Sequence, residues 1–106
     1  MRVQALIDHV AQERFSLQDH GCPIGSLCTE LNKKRGPLSD SAAQLFQLLL
    51  TWLENQFKAM GKPNEGHLAL QTLSSLQGAS LLAHSLHNPQ LIEIQTEALS
   101  QWLETL

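Results

Sequence analysis

The chain has 106 residues and a mass of 11.8 kDa, which predicts a single domain, since domains commonly hold about 100–150 residues. Hydrophobic residues make up 42% of the chain and charged residues 16%, a composition that argues against intrinsic disorder. The net charge of −3 argues against nucleic-acid binding by this chain alone, because neutralising phosphates requires a basic surface.

Proline and glycine divide the chain into five segments with helical periodicity. Leu, Gln and Ala are abundant and β-branched residues are few, which favours helix over strand. The segments cover about 2–16, 23–34, 40–60, 65–87 and 89–106. Short connections predict antiparallel neighbours. The predicted fold is therefore an all-α domain of five helices.

Residues with known preferences for helix ends mark where these helices begin. Pro23 suits the first position of the second helix, and Pro89 suits the first position of the fifth. Ser39 or Ser41 can cap the third helix, and Asn64 can cap the fourth.

The last two helices each carry apolar residues on two faces, whereas a surface helix needs only one. Gly78 lies in the middle of the fourth helix, where glycine costs about 0.5–1 kcal/mol relative to alanine and the close approach of another helix would compensate. We expect a homodimer in which these helices form a two-fold four-helix bundle; the alternative is that both helices are central in the monomer. The predicted interface comprises Leu76, Gly78, Ala79, Ala83, Leu86, Leu91, Ile94, Ala98 and Trp102.

The expected compartment follows from the apolar runs and the cysteines. The start of the chain has no basic stretch followed by an apolar run and a cleavage site, so we expect no secretory signal. No run reaches the roughly 18 apolar residues of a membrane span. Cys22 and Cys28 are too few for a disulfide scaffold. We therefore expect a cytoplasmic protein that does not enter a membrane.

Residues 21–31 form a distinctive segment with the sequence Gly-Cys-Pro-Ile-Gly-Ser-Leu-Cys-Thr-Glu-Leu. It resembles the Gly-Cys-Pro-hydrophobic-Gly-small-Leu…Glu-Leu segment of C-terminal domains in the tetracycline-repressor (TetR) family of bacterial transcription regulators. The helices around 45–60 and 68–87, followed by Asn88-Pro89 and the final helix, resemble the rest of that domain. The resemblance covers essentially the whole of residues 1–106.

This resemblance implies an effector-sensing domain that binds a small-molecule inducer of unknown identity and dimerises through its last two helices. In the family, an N-terminal helix-turn-helix module binds operator DNA. No segment of this chain has the basic charge or the three-helix pattern of that module, so we expect DNA contact only through a module that this chain lacks. The alternative is a short interaction protein that forms heterodimers with full-length regulators and leaves them with one DNA module.

We expect the inducer pocket between the first four helices, with apolar walls and a few polar groups. Gln71 and Gln77 are the candidate polar contacts. The small number of aromatic residues favours a neutral or weakly polar ligand, and plain core packing is the alternative for many wall residues. The candidate wall residues are Ile7, Val10, Cys28, Leu31, Phe46, Leu49, Trp52, Leu53, Leu70 and Leu73.

Histidines and cysteines are the remaining candidates for chemistry. The spacing of Cys22 and Cys28 is wider than in common zinc knuckles and disfavours a metal site with His20; oxidation of Cys22 is a second alternative to a structural role. His84 and His87 are three residues apart, which suits a metal, but more often indicates hydrogen bonds at a helix end. Since no catalytic motif is present, we expect no enzyme activity, no cofactor and no metal.

Overall fold

The structure is a computed structural model that describes residues 2–33 and 36–106. Within these residues every regular element is an α-helix, which confirms the predicted all-α fold. The helices are α1 (Arg2–Gln12), α2 (Arg14–His20), α3 (Pro23–Asn32), α4 (Pro37–Ala59), α5 (Glu65–Leu86) and α6 (Gln90–Glu104). The five predicted segments are therefore all helical, and the first of them holds two helices.

The first predicted helix, about 2–16, extends to His20 and is divided at Glu13. Glu13 has φ −87° and ψ 10°, so the backbone bends there and α2 leaves the direction of α1. Arg14 lies at the junction, and its Nε is 2.6 Å from Glu93 Oε1 at the start of α6. The predicted breaks between helices contain glycine or proline, whereas neither residue occurs at the unpredicted break at Glu13.

The third predicted helix begins three residues earlier than expected, at Pro37. Proline is favoured at the first helical position because its missing N–H would have no partner there. Ser39 therefore lies inside the first turn, where its Oγ donates to Gly36 O at 3.0 Å. Asn64 occupies the N-cap position of α5 as predicted, but its side chain makes no capping hydrogen bond. Pro89 precedes α6 as its N-cap residue. The predicted end of the second helix, at 34, lies outside the described residues.

Helix α5 is the central element of the fold. It packs against α4, α6 and α2, while α1 packs on α6 and α3 packs on α4. The main core joins α1, α4, α5 and α6, and a smaller cluster fills the space between α5 and α6 near the α5–α6 turn. The most deeply buried side chains of the two clusters are Val3, Ile7, Leu53, Phe57, Ala69, Ala83 and Ile92.

The molecule is flat, with extents of 40 × 32 × 16 Å. A thickness of 16 Å holds about two layers of helices, because packed helices lie roughly 8–10 Å apart. The accessible surface of 6694 Å² exceeds the roughly 5,900 Å² typical of a compact monomer of this mass by about 800 Å². None of the helices in the described part of the chain has the length and apolar character needed to cross a membrane.

Candidate ligand cavity and outer helix face

A cavity of about 630 Å³ lies between α1, α2, α3, α4 and α5. Its volume falls within the roughly 300–1,000 Å³ typical of small-molecule sites. Leu73 and Leu76 of α5 form its most deeply buried wall. The apolar residues that line it are Leu6, Val10, Leu17, Ile24, Leu49, Leu73 and Leu76.

The polar residues around this cavity fall into an exposed rim and an inner wall. The rim side chains are His9, Glu13, Ser16 and His20, all of which are solvent-exposed. On the inner wall, the buried Ser80 Oγ donates to Leu76 O at 2.9 Å. Among the described residues, no lysine or arginine lines the cavity. The interior is therefore apolar, with a few hydrogen-bonding groups and no cation.

The turn between α2 and α3 builds one side of the cavity. Gly21 has φ +72°, a left-handed conformation that glycine adopts without steric cost, and its N–H donates to Leu17 O at 2.7 Å. Cys22 is the N-cap residue of α3, and Pro23 occupies the first turn of that helix. The turn thus ends α2, starts α3 and places the Cys22 side chain against α5.

The Gln77 side chain lies between the cavity and an open cleft of about 390 Å³ between α3 and α5. Its Nε2 donates to Cys22 Sγ at 3.2 Å, and both residues line the cavity as well as the cleft. A Cβ at Gly25 would lie 2.9 Å from Gln77 Oε1, so glycine at this position gives the amide its room. The Gln77 amide therefore separates the two spaces.

The remaining cysteine and histidine candidates occupy separate places. Cys28 is buried, and its thiol donates to Ala42 O at 3.3 Å between α3 and α4. His84 Nδ1 is 2.9 Å from Gln18 O and connects the end of α5 to α2. His87 ends α5 in a left-handed conformation with φ +50°. No three His, Cys, Asp or Glu side chains converge on a possible metal position within residues 2–33 and 36–106.

The structure brings some of the candidate pocket residues together and separates the others. Gln77 lines the cavity, whereas Gln71 is exposed on the same helix. Of the ten candidate wall residues, those that line the cavity are Val10, Leu49 and Leu73. The others lie in or against the main core (Ile7, Phe46, Trp52, Leu53), along α3 (Cys28, Leu31) or at the surface (Leu70).

Sequence reasoning missed the cavity residues Leu6, Leu17 and Ile24, and it assigned a fourth, Leu76, to the dimer interface. Leu6 belongs to the apolar stripe of the first helix, and Ile24 belongs to the distinctive segment 21–31, so both carried a usable signal. Leu17 lies beyond the predicted end of the first helix, and only the continuation into α2 brings it to the cavity.

The candidate dimer residues divide between the interior of the chain and its surface. Leu76, Ala79 and Ala83 are buried in the interior of their own chain. Leu91 is half-buried, and Trp102 packs edge-to-face on Phe57 with ring centroids 6.3 Å apart. The candidates that remain accessible on the α5–α6 hairpin are Gly78, Leu86, Ile94 and Ala98.

These accessible residues belong to what we call the outer face, a shallow groove between α5 and α6 and its apolar borders. Leu82, Leu86 and Ile94 are its large exposed side chains, with 53%, 64% and 63% of their surface accessible. Apart from its chain neighbours and the nearby backbone of α5 itself, none of the described atoms lies within 4 Å of a Cβ built on Gly78, so packing inside this part of the chain does not account for a mid-helix glycine. The outer face comprises Ser74, Ser75, Gly78, Leu82, Leu86, Leu91, Ile94, Gln95 and Ala98.

No protein-family model matches the sequence, and no curated protein matches it. The cavity and the outer face are therefore the features from which a function can be inferred.

Proposed function

We propose that this chain is the effector-sensing and dimerisation domain of a transcription regulator of the tetracycline-repressor type. The cavity of about 630 Å³ carries the proposal, because its volume, apolar walls and few polar groups suit a small-molecule inducer. The segment by which the sequence resembles that family supplies Gly21, Cys22, Pro23 and Ile24 to the cavity lining. The resemblance and the cavity thus involve the same residues.

The dimerisation half of the proposal is supported by the outer face. Leu82, Leu86 and Ile94 expose apolar surface on one side of the α5–α6 hairpin. The accessible surface of the whole chain also exceeds that of a compact monomer of this mass by about 800 Å², which leaves surface that a partner can cover. Two copies that pair their outer faces would form a four-helix bundle about a two-fold axis.

Helix α5 offers a physical route from ligand to dimer. Its inner side presents Leu73, Leu76 and Gln77 to the cavity, and its outer side presents Gly78 and Leu82 to the proposed partner. An inducer that favours one position of α5 would shift the population of dimer arrangements. In a full-length regulator, such a shift would change the separation of two DNA modules, which must be about 34–36 Å to contact successive major grooves.

Thermal-shift screening of the chain against metabolites and drugs tests the sensing function. A ligand at 100 times its Kd stabilises the folded state by about 2.7 kcal/mol and raises the unfolding midpoint. Leu49 lines the cavity, so Leu49→Trp fills it and is expected to abolish the shift. The neighbouring Leu48 is 67% exposed, so Leu48→Trp is the matched control and keeps the shift.

The sensing function is contradicted if no compound raises the unfolding midpoint. It is also contradicted if the shift persists in a Leu49→Trp protein whose circular dichroism shows intact helices. A second candidate function, pairing with full-length regulators without a ligand, is favoured by the outer face alone. That candidate predicts that Leu49→Trp leaves pairing with the regulators unchanged, while a charge at Ile94 abolishes this pairing.

A further inference from the structure

We propose that the cavity takes an uncharged, largely aliphatic ligand with a carbonyl group, and that Gln77 donates a hydrogen bond to that carbonyl. This inference rests on the sensing function proposed above and specifies the chemistry of its ligand. It depends on two features of the cavity: the charge of its lining, and the weak hydrogen-bond acceptor, Cys22 Sγ, to which the Gln77 amide donates.

The lining excludes a charged ligand body. The described part of the chain places no lysine or arginine on the cavity, and its two lining histidines, His9 and His20, lie exposed at the rim, so a ligand anion held deep in the cavity would have no opposite charge beside it. Glu13 is the charged carboxylate among the lining residues, and it lies on the exposed rim in contact with water. A cation held deep among Leu49, Leu73 and Leu76 would be equally uncompensated, and burial of an unpaired charge is strongly unfavourable.

The volume of the cavity bounds the size of the ligand. At the roughly 30 Å³ that one water molecule occupies, the cavity of about 630 Å³ has space for about twenty heavy atoms. Seven aliphatic side chains line this space, so most of the ligand surface must itself be aliphatic to gain from burial.

The Gln77 side-chain amide is a donor on the inner wall whose hydrogen-bond acceptor is weak. Its Nε2 donates to Cys22 Sγ at 3.2 Å, and a thiol sulfur is a weak acceptor. Its Oε1 lies next to the position that a Cβ on Gly25 would occupy, so the oxygen is turned towards α3. A ligand carbonyl oxygen is a stronger acceptor than the thiol, and exchanging Cys22 for the ligand improves the hydrogen bond of Nε2.

The other polar groups of the lining do not compete for this role. Ser80 already uses its hydroxyl hydrogen on Leu76 O, so it can only accept a further hydrogen bond. His9, Ser16 and His20 are exposed at the rim, where water satisfies them. Gln77 is therefore the group that can distinguish a carbonyl-bearing ligand from a plain hydrocarbon.

Titration of the ¹⁵N-labelled chain with three probes of equal chain length tests the inference. We expect 2-nonanone to bind at least about tenfold more tightly than nonanoate or nonylammonium, because a charged end placed beside Gln77 would leave water unpaired, and a charged end kept at the rim would not reach the amide. The Gln77 side-chain amide resonance, assigned by its loss in Gln77→Met, is expected to shift with the ketone as its acceptor changes from sulfur to oxygen.

Two substitutions on α5 separate the role of the amide from general packing. Gln77→Met keeps the length of the side chain and removes the donor, so the ketone should bind about five- to tenfold more weakly. Gln71 is exposed on the same helix, outside the cavity lining, so Gln71→Met should leave the affinity unchanged. Cys22→Ser gives Nε2 a stronger competing acceptor and should also weaken ketone binding.

The outcomes distinguish this inference from the function on which it rests. Equal affinity for the three probes, an unchanged ketone affinity in Gln77→Met, or no binding by any probe overturns the carbonyl ligand class. The sensing function itself is overturned only when no compound of the thermal-shift experiment binds in a manner sensitive to Leu49→Trp.

Discussion

At the scale of single residues, the cavity wall depends on two glycines, one required by backbone conformation and the other by the space that a neighbouring side chain occupies. Gly21 supplies the left-handed turn between α2 and α3, and Gly25 makes space for the Gln77 amide. Both glycines lie in the segment 21–31 that the sequence singles out. Their partner Gln77 is 55 residues from Cys22 along the chain, so no local pattern could predict that these groups meet.

The end of α5 provides a prediction about stability. His87 has φ +50°, a conformation that costs a residue with a Cβ about 1–2 kcal/mol, while Asn88 N–H closes the helix on Ala83 O at 2.9 Å. We expect His87→Gly to raise the free energy of unfolding by about 1 kcal/mol, and the melting temperature by roughly 4–8 °C. Urea denaturation and calorimetry measure the two quantities.

The control for this prediction is another histidine of the same helix. His67 is exposed in the first turn of α5, where glycine lowers helix stability, so His67→Gly should reduce the free energy of unfolding. If His87→Gly is no more stable than the unchanged chain, the assignment of a left-handed conformation to His87 at the end of α5 is wrong.

At the scale of helices, glycine and proline predicted every break except the one inside the first segment. Glu13 carries no breaking signal, and the division into α1 and α2 arises where α2 turns to pack on α5. The two apolar faces of α5 were also visible in the sequence. Which face is internal was not, because Leu82 and Ala83 are adjacent apolar residues and packing alone buries Ala83 while exposing Leu82.

A glycine substitution in α5 tests whether the outer face is free within one chain. Beyond its chain neighbours and the nearby backbone of α5, a Cβ at Gly78 meets none of the described atoms within 4 Å, so Gly78→Ala should stabilise the folded monomer by about 0.5–1 kcal/mol through helix propensity. Urea denaturation in an Ile94→Glu background measures this gain without a contribution from dimerisation.

Gly25→Ala is the matched control in α3. Its Cβ would lie 2.9 Å from Gln77 Oε1 and must displace the amide from Cys22, so the gain there should be smaller. A loss of stability in Gly78→Ala would show that part of the same chain packs on the outer face, and would remove the reason to place a partner there.

At the scale of the whole molecule, the flat shape and the cavity are properties that single segments do not encode. A cavity forms where several helices fail to meet, so apolar periodicity identified Val10, Leu49 and Leu73 but could not separate them from core residues such as Ile7 and Leu53. Within the described residues, one side of the α5–α6 hairpin is uncovered, where Leu82, Leu86 and Ile94 are exposed. This geometry makes pairing through the outer face the central claim.

The molar mass in solution tests that claim most directly. At concentrations on the order of tens of micromolar, light scattering should give twice 11.8 kDa for the unchanged chain and for Leu48→Glu, whose site lies on α4 away from the outer face. Ile94→Glu places a charge on the outer face and should give 11.8 kDa with unchanged helix content. A mass of 11.8 kDa for the unchanged chain, or a doubled mass for Ile94→Glu, would contradict a dimer formed by α5 and α6.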